Sequence, residues 1–324
     1  MKKIAVIVSV SESEDSQVVL NSAKKITSLD YQNLIAKIVY VIDATTEKDE
    51  RIPLLKTEGI EVFSRQRRGK KAGALNDALI YLADFKPDYV ALFDVDSRPE
   101  RNFIIECVSA LEKDSMAYIA SSRRYISNPV NFVSRTIQAE YYVLNFLLKR
   151  SAFKQFNGLI GVLRADLLYK HKLNEGAITE DADYATRMHA KGCIAILVST
   201  TRIYEQSPVS WMDLLNQRKR WYYGGLQLWR YWDAVKSSNN KKFILSWVMA
   251  LAMAYCIIIL LPLVIFSPFI ILYYSKKASP KISPSVSAGL VLYIFILQYS
   301  AITAIFNFVR GKSVEWKSMK RVVD

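Results

Sequence analysis

The chain has 324 residues, 51% of them hydrophobic, and a formal net charge of +14. This length allows one large domain or two modest ones with a sizeable core. The positive charge suits an anionic membrane surface or substrate, and the absence of any zinc-finger or RNA-binding signature argues against a nucleic-acid partner. Three cysteines without metal-ligand spacing indicate packing residues in a reducing compartment.

Strand-like and helix-like segments alternate through the N-terminal part of the chain. Residues 3–10 read KIAVIVSV, a β-branched apolar run typical of a strand buried on both faces. Similar runs lie at 38–42, 59–63, 89–93, 116–120 and 194–198, with helical spacing at 15–28, 72–83 and 102–112. This alternation predicts a doubly wound α/β sheet, whose ligands bind beyond the carboxyl ends of the strands. Asp43 and Asp94 fall at such ends.

Two long uncharged runs, residues 243–266 and 286–309, follow in the C-terminal part. A spanning helix needs about 20 such residues, so we predict two transmembrane helices rather than buried core helices. Pro262 is expected to kink the first helix, and residues 268–274 either extend it or lie in the membrane interface.

The expected topology is that of a multi-pass cell-membrane protein with a cytoplasmic N-terminal domain, because no signal peptide precedes the first strand. Residues 209–232 combine four tryptophans with four basic residues, which predicts amphipathic helices on the membrane surface. We therefore predict a catalytic domain at 1–205, interfacial helices at 206–242 and a membrane domain at 243–324.

Two carboxylates, Asp94 and Asp96, flank one residue after an apolar strand. In an extended chain they would point the same way and could share a hard cation. The alternative is an ordinary polar turn. In this setting we predict a Mn²⁺ or Mg²⁺ site that offsets charge on a diphosphate leaving group.

Two further segments carry candidate chemistry. Residues 67–76, RRGKKAGALN, are basic, contain glycines and enter a helix, so they predict a phosphate site or, alternatively, a solvated basic loop. The run Thr179, Glu180 and Asp181 precedes another helix; it could cap that helix, or a carboxylate there could act as a general base. His189, further along the same helix, is interpreted as structural.

In combination, these motifs resemble family 2 glycosyltransferases, in particular the membrane-anchored branch that includes cellulose synthase, hyaluronan synthase and ceramide glucosyltransferase. The matching segments are KAGALN (71–76), DVD (94–96), FNGLIG (156–161), TEDAD (179–183) and QRKRW (217–221). The resemblance implies a GT-A fold, which is a Rossmann-like mixed sheet flanked by helices. It also implies a nucleotide-sugar donor, a divalent cation, and transfer of a hexosyl or N-acetylhexosaminyl group with inversion.

The resemblance also implies a role for each matching residue. Asp181 would be the catalytic base, with Glu180 beside it, and Asp94 and Asp96 would hold the metal. The nucleotide sugar would contact Ser9, Asp43, Lys71, Asp94, Asp96 and Arg220. The acceptor would contact Phe156, Asn157, Gly158, Gln217 and Trp221. The chain departs from the family pattern at the end of the first strand, where residues 9–13 read SVSES rather than a turn with proline and asparagine. It departs again at Ala44, where a second acidic residue is usual.

Three functions are compatible with the sequence. The first is transfer of one sugar, expected from UDP, to a lipid or lipid-linked acceptor at the cytoplasmic face, in glycolipid or polysaccharide biosynthesis. The second is a processive polysaccharide synthase, although two spans can hardly enclose a polar tunnel unless the chain forms an oligomer. The third is an inactive membrane scaffold, which the intact set of carboxylates argues against.

Overall fold

The structure, a computed structural model, describes residues 1–44, 49–66, 70–259, 261–278 and 286–314. These residues pack as two compact units. The first contains Met1–Arg123 and Lys154–Tyr204, and the second contains Arg124–Phe153 and the described residues from Glu205 onward. The chain therefore leaves the first unit, returns to it, and leaves it again. The functional boundaries at residues 205 and 242 stay predictions.

A mixed sheet lies at the centre of the first unit, and the described residues contribute eight strands to it. These are β1 (Lys2–Val10), β2 (Leu34–Asp43), β3 (Glu61–Arg65), β4 (Tyr89–Asp94), β5 (Arg98–Pro99), β6 (Ala117–Ile126), β7 (Gly161–Arg164) and β8 (Ile194–Glu205). Their order is β3-β2-β1-β4-β7-β6-β8-β5. Strands β3, β2, β1 and β4 are parallel, whereas β7 runs antiparallel to β4 and β6, and β5 runs antiparallel to β8.

The expected mixed α/β sheet is confirmed, with two strands beyond those predicted. The apolar run of β1 is buried from Ile4 to Val8, as a strand covered on both faces requires. The additional strands are β5 and β7, of two and four residues, which are too short to show a hydrophobic period. Because β7 runs antiparallel to β4 and its first residue, Gly161, pairs with Leu92, the turn that precedes β7 lies at the carboxyl-terminal edge of the parallel strands.

The described residues contain twelve α-helices. They are α1 (Ser16–Thr27), α2 (Arg51–Thr57), α3 (Lys70–Tyr81), α4 (Phe103–Lys113), α5 (Phe132–Arg150), α6 (Ala165–His171), α7 (Glu180–Ala190), α8 (Trp211–Leu228), α9 (Trp232–Lys236), α10 (Lys241–Ile259), α11 (Leu261–Ala278) and α12 (Val286–Val309). Helices α1, α3 and α4 match predicted segments within a few residues. Asp15 caps α1 by accepting a hydrogen bond from the Gln17 N–H at 2.8 Å, and this side-chain cap fixes the start of the helix.

Helix α5 belongs to the second unit although it interrupts the first in sequence. It begins with a capping box in which Asn131 and Ser134 exchange side-chain to backbone hydrogen bonds. Its buried residues Ile137 and Tyr141 share a hydrophobic cluster with Leu214 of α8 and Tyr293 of α12. The second unit is thus a helical assembly around α5, α8 and α12.

One helix in the described part of the chain is long and apolar enough to cross a membrane, the segment Ala288–Val309 of α12, with a mean hydropathy of 1.9. Only 39% of its apolar window is buried. The other expected span, residues 243–266, is not confirmed as a single helix. It is divided between α10 and α11, and residue 260 lies outside the described residues. The kink predicted at Pro262, close to this gap, stays a prediction.

A glycine at the start of β7 is essential to this sheet. Gly161 has φ +154°, and a Cβ there would lie 2.6 Å from the Ala120 carbonyl oxygen. We expect Gly161→Ala to lower the free energy of unfolding by about 3 kcal/mol, because a backbone clash adds to conformational strain. Gly192 is the matched control: it has φ +88° with nothing within 4 Å of a Cβ. Its change to alanine should cost about 1 kcal/mol. Guanidinium unfolding in detergent measures both, and equal losses would contradict the prediction.

Candidate active site

A lysine ammonium lies at the centre of the candidate site in the first unit. Lys71, in the first turn of α3, is ion-paired with the Asp94 carboxylate at the end of β4. Its Nζ also donates to the Gly158 carbonyl at 2.9 Å. Burial acts to lower the pKa of Lys71, but the charges of Asp94, Glu180 and Asp181 outweigh it, so the pKa lies above its ordinary value. This side chain therefore stays a cation among carboxylates.

The helix that carries Lys71 is shifted by two residues from the predicted segment 72–83. Helix α3 starts at Lys70, which has φ +52°, and residues 67–69 of the predicted phosphate segment lie outside the described residues. Asn76 fixes the helix through two bonds to Leu173, donating to its carbonyl and accepting from its N–H, each at 3.0 Å. The start of α3 is thereby held in a defined place relative to the segment that precedes α7.

The segment from Asp94 to Asp96 is a turn rather than an extended chain. Strand β4 ends at Asp94, whose N–H donates to Ser97 Oγ at 3.1 Å, and the Ser97 N–H donates back to the Asp94 carbonyl at 2.9 Å. Val95 is buried in the core. The expectation that the two carboxylates point the same way assumed an extended chain. This assumption was wrong, because a tight turn carries the pair.

Gly158 lies at the meeting point of the lysine and the two acidic segments. It sits in a short 3-10 turn, Asn157–Leu159, with φ +63°. A Cβ at Gly158 would lie 2.7 Å from Lys71 Nζ and 2.9 Å from Asp94 Oδ2. Only glycine allows this close approach. The segment predicted to contact the acceptor thus contacts the predicted donor residues directly.

Asp181 is held by backbone N–H groups at the start of α7. Its Oδ2 accepts from the Gly158 N–H at 2.6 Å, and its Oδ1 accepts from the Ala182 N–H at 2.7 Å. Thr179 precedes the helix but makes no side-chain cap hydrogen bond, so the interpretation of this residue as a helix cap finds no support. Glu180 is half-buried beside Asp181. The acidic segment is therefore turned towards the turn that contains Gly158.

The nearby Asp183 has a different role, although it belongs to the same motif. It is fully buried, pairs with Arg187 at 2.8 Å and accepts from Asn174 at 3.2 Å. Arg187 in turn donates to the carbonyls of His171 and Lys172. This network anchors α7 to the end of α6, which leaves Asp181 as the carboxylate of the motif that faces Gly158.

Asp43, expected at the nucleoside, lies at the end of β2 and is ion-paired with Arg65 at 2.7 Å. Arg65 also pairs with Asp77 of α3 at 2.8 Å, a bridge that the sequence analysis missed. Burial raises the pKa of Asp43, and Arg65 offsets part of this effect. Ser9 lies in register with Asp94 on the neighbouring parallel strand, so both occupy the carboxyl edge of the sheet.

The acceptor residues fall into two groups. Phe156 is only 2% exposed, so it packs inside the fold and its predicted contact with an acceptor finds no support, whereas Asn157 is half-buried. In the second unit, Gln217, Arg220 and Trp221 are half-buried on α8. The buried residue of that motif is Arg218, which pairs with Glu140 of α5 at 2.6 Å. No sequence pattern marked Arg218, since it stands in a run of exposed-looking basic residues.

The donor set of the Asp94–Asp96 turn fits a hard divalent cation. Asp94 keeps 33% of its side chain exposed despite the ion pair with Lys71. Two carboxylates are typical ligands for Mg²⁺ or Mn²⁺ when phosphate oxygens complete the coordination. Among the described residues, no group of three His, Cys, Asp or Glu side chains forms a self-sufficient metal site. The arrangement therefore suits a cation that binds together with a diphosphate.

His189 is a packing residue, as expected. It is buried, its Nε2 lies 3.2 Å from the Lys154 carbonyl oxygen, and its ring meets Tyr118 edge-on. Burial lowers its pKa from 6.5 to about 4. The neutral imidazole is thus the form that the folded chain favours.

This burial predicts a pH-dependent stability. The contribution is fully present above pH 6.5 and is lost as the pH falls towards 4, because the unfolded chain then binds a proton that the folded chain does not. We expect a loss of up to ~3 kcal/mol across this window, measured by chemical unfolding. His189→Gln should flatten the profile, and His171→Gln should flatten it far less, because His171 is half-exposed. An unchanged profile in His189→Gln would contradict the assignment.

Comparison with known proteins places this geometry in a family. The model of "Glycosyl transferase family group 2" matches residues 89–305, and that of "Glycosyl transferase family 2" matches residues 6–171. Glucomannan 4-beta-mannosyltransferase 7 of Arabidopsis thaliana is 24% identical over 254 residues, 68% of this chain and 46% of the relative. Beta-monoglucosyldiacylglycerol synthase of a Nostoc species is 25% identical over 241 residues, 70% of this chain and 50% of the relative. The chain thus spans half or less of the length of these curated relatives.

A solved structure shows a similar fold over nearly the whole chain. It is the mannosyltransferase PcManGT from Pyrobaculum calidifontis in complex with GDP-Man and Mn²⁺, with a TM-score of 0.63 and 17% identity. The match covers 96% of this chain and 88% of that one. This likeness supports the expected GT-A-type fold. Because the first family model alone matches more than half of the sequence, the chain belongs to glycosyltransferase family 2.

Proposed function

We propose that the protein transfers a sugar, with inversion, from a nucleotide sugar to a lipid or lipid-linked acceptor at the cytoplasmic face of the cell membrane. The observation that carries this proposal is the convergence of three charged side chains near Gly158: Lys71 and Asp181 bond to its backbone, and Asp94 pairs with Lys71. This arrangement combines a cation for a diphosphate with carboxylates for a metal and a proton. The third candidate, an inactive scaffold, would not need these charges to be brought together.

On the donor side, Lys71 would bind the diphosphate. Its ammonium stands in the first turn of α3, where the helix N-terminus adds a favourable field for phosphate. Asp43 and Ser9, at the ends of neighbouring strands, would contact the nucleoside. UDP is the nucleotide predicted from the sequence, whereas the Pyrobaculum neighbour is named with GDP-Man, so both nucleotides belong in the test.

In the transfer step, the acceptor oxygen attacks the anomeric carbon while the bond from that carbon to the diphosphate breaks. Asp181 takes the proton of the attacking hydroxyl, which is general-base catalysis. The N–H groups of Gly158 and Ala182 hold the Asp181 carboxylate in place. A single displacement of this kind inverts the anomeric configuration.

The leaving diphosphate needs positive charge near it. Lys71 supplies one such charge, and its release from Asp94 would leave that carboxylate available for a cation. Mn²⁺ or Mg²⁺ bound by Asp94 and Asp96 would offset the charge that develops on the leaving group.

On the acceptor side, α8 carries Gln217, Arg220 and Trp221 in the unit that contains the apolar helix α12. Most of the apolar window of α12 is exposed, which favours a lipid environment over a protein core. The Nostoc relative is named as a synthase of a glycolipid, and this supports a lipid acceptor. The plant relatives are named as glucomannan mannosyltransferases, and this supports processive polymer synthesis as the second candidate.

The decisive experiment offers radiolabelled UDP-glucose, UDP-N-acetylglucosamine and GDP-mannose in turn to the purified protein. The protein is reconstituted in phosphatidylglycerol vesicles that contain dioleoylglycerol or undecaprenyl phosphate. We expect label from one donor in the organic phase, on a lipid that carries one sugar. A long product in the aqueous phase would replace this proposal by the processive one. If the protein neither transfers sugar nor binds a nucleotide sugar, the result would favour the inactive scaffold.

Two acidic residues of the same motif, Asp181 and Asp183, test the catalytic base. Asp181→Asn should still bind the donor but transfer sugar about 10²-fold more slowly or worse, because an amide cannot accept the proton. Asp183→Asn is the matched control and should lower stability instead, since it weakens the buried pair with Arg187. Calorimetric donor binding, transfer rates and unfolding midpoints separate the two effects. Normal transfer by Asp181→Asn would remove Asp181 from the mechanism.

Two aspartates near opposite ends of β4, Asp96 and Asp88, test the metal assignment. Asp96→Asn should abolish most of the Mn²⁺-dependent donor binding, because a neutral amide is a weaker ligand for a hard cation. Asp88→Asn, just before the opposite end of β4, should bind Mn²⁺ and donor normally. Titration of Mn²⁺ by electron paramagnetic resonance, with and without nucleotide, gives both affinities. Full activity in EDTA would refute the metal assignment.

A further inference from the structure

A charged pair is buried in the helical unit, next to the predicted acceptor residues. Arg218 of α8 is 4% exposed and Glu140 of α5 is 8% exposed. The Arg218 Nη2 donates to Glu140 Oε2 at 2.6 Å, and the Tyr293 phenol of α12 is also hydrogen-bonded to Glu140. The pair therefore joins three helices, one of which is the candidate membrane span.

The same guanidinium stacks on an aromatic ring of the motif. The Arg218 Cζ lies 4.1 Å from the centre of the Trp221 ring, one helical turn away. At this distance the planar guanidinium covers the ring face and attracts its π system. Trp221 is half-buried, so part of its side chain stays accessible while one face is covered.

We propose that Arg218, held by Glu140, is a positioning residue that fixes the Trp221 ring for the acceptor. This proposal rests on the proposed function, since it assigns a task to the acceptor side of that reaction. Arg218 does not itself touch either substrate; it acts through Trp221. The buried ion pair of Arg218 and Glu140 thus sets the affinity for the acceptor by holding the Trp221 ring in place.

A gain in folding stability does not explain why this charged pair is buried. Burying two charges costs desolvation free energy that their attraction barely offsets, and apolar residues of similar size are often as stable or more so. The neighbouring contacts of the same cluster, such as Leu214 and Ile137, are apolar. A planar cation can hold a flat ring in a defined orientation, and the Arg218 Cζ lies 4.1 Å from the centre of the Trp221 ring and 5.8 Å from that of the Tyr293 ring.

Three variants separate positioning from packing. Arg218→Lys keeps a charge for Glu140 but loses the planar stacking on Trp221. The double variant Arg218→Met with Glu140→Leu removes both buried charges and should keep or raise the unfolding temperature. Arg230→Lys is the matched control, because Arg230 stacks on Tyr231 at 4.9 Å in the same unit but is exposed.

We expect Arg218→Lys and the double variant each to raise the KM for dioleoylglycerol, or for undecaprenyl phosphate if that is the acceptor, about tenfold. The KM for the donor should not change, and Arg230→Lys should match the wild type. In a Trp221→Ala background, Arg218→Lys should add no further loss, because the effect passes through the missing ring. If the stable double variant has the wild-type acceptor KM, the pair only packs and the proposal is overturned.

A spectroscopic test decides the positioning without any transfer reaction. The chain has six tryptophans, so the protein labelled with 5-fluorotryptophan gives few ¹⁹F resonances, and the Trp221 signal is the one absent from Trp221→Phe. Arg218→Lys should shift or broaden this signal and leave the other resonances in place. An unmoved Trp221 signal would overturn the proposal, whereas a moved signal in a protein that transfers nothing would overturn only the proposed function.

Discussion

The candidate site depends on the neutralisation of one partly buried ammonium. Lys71 is surrounded by carboxylates from β4 and α7 and by the carbonyl of Gly158, and a cation so placed must be paired to be tolerated. Each partner comes from a different segment of the chain. The charge balance therefore requires α3, β4, the turn at Asn157–Leu159 and α7 to meet, and the sheet order supplies this meeting by placing β7 beside β4.

The helical unit uses buried charge in a similar way. Besides the pair of Arg218 and Glu140, Arg124 at the end of β6 pairs with Glu205 at the end of β8 at 2.8 Å. Tyr141 of α5 donates to the same Glu205 at 2.5 Å. Burial raises the pKa of Tyr141 well above its usual range, so the phenol stays a donor. Apolar contacts alone would allow helices to slide, whereas these directional contacts fix which residues of α5 face their neighbours.

The sequence predicted the parts of the structure that have a strong local signal. Strands β1, β2 and β4 were evident because β-branched runs stand out when both faces are buried, and their ends located Asp43 and Asp94. The two-residue β5 and the four-residue β7 carry no period to detect. The extended arrangement expected around Val95 failed because Ser97 closes a turn there. Arg65 and Arg218 were missed because burial of a charge depends on partners that are distant in sequence, Asp77 being twelve residues and Glu140 seventy-eight residues away.

The interrupted path of the chain has a consequence for the design of a protein that contains the first unit by itself. Ending the protein after residue 205 would remove α8 and α12 but leave α5 attached. Ile137 and Tyr141 would then lose the Leu214 and Tyr293 side chains of their cluster. A helix with a bare apolar stripe of this kind promotes aggregation. A soluble version therefore needs an internal deletion of residues 124–153 together with the C-terminal truncation, so that no helix of the second unit is left without its companions.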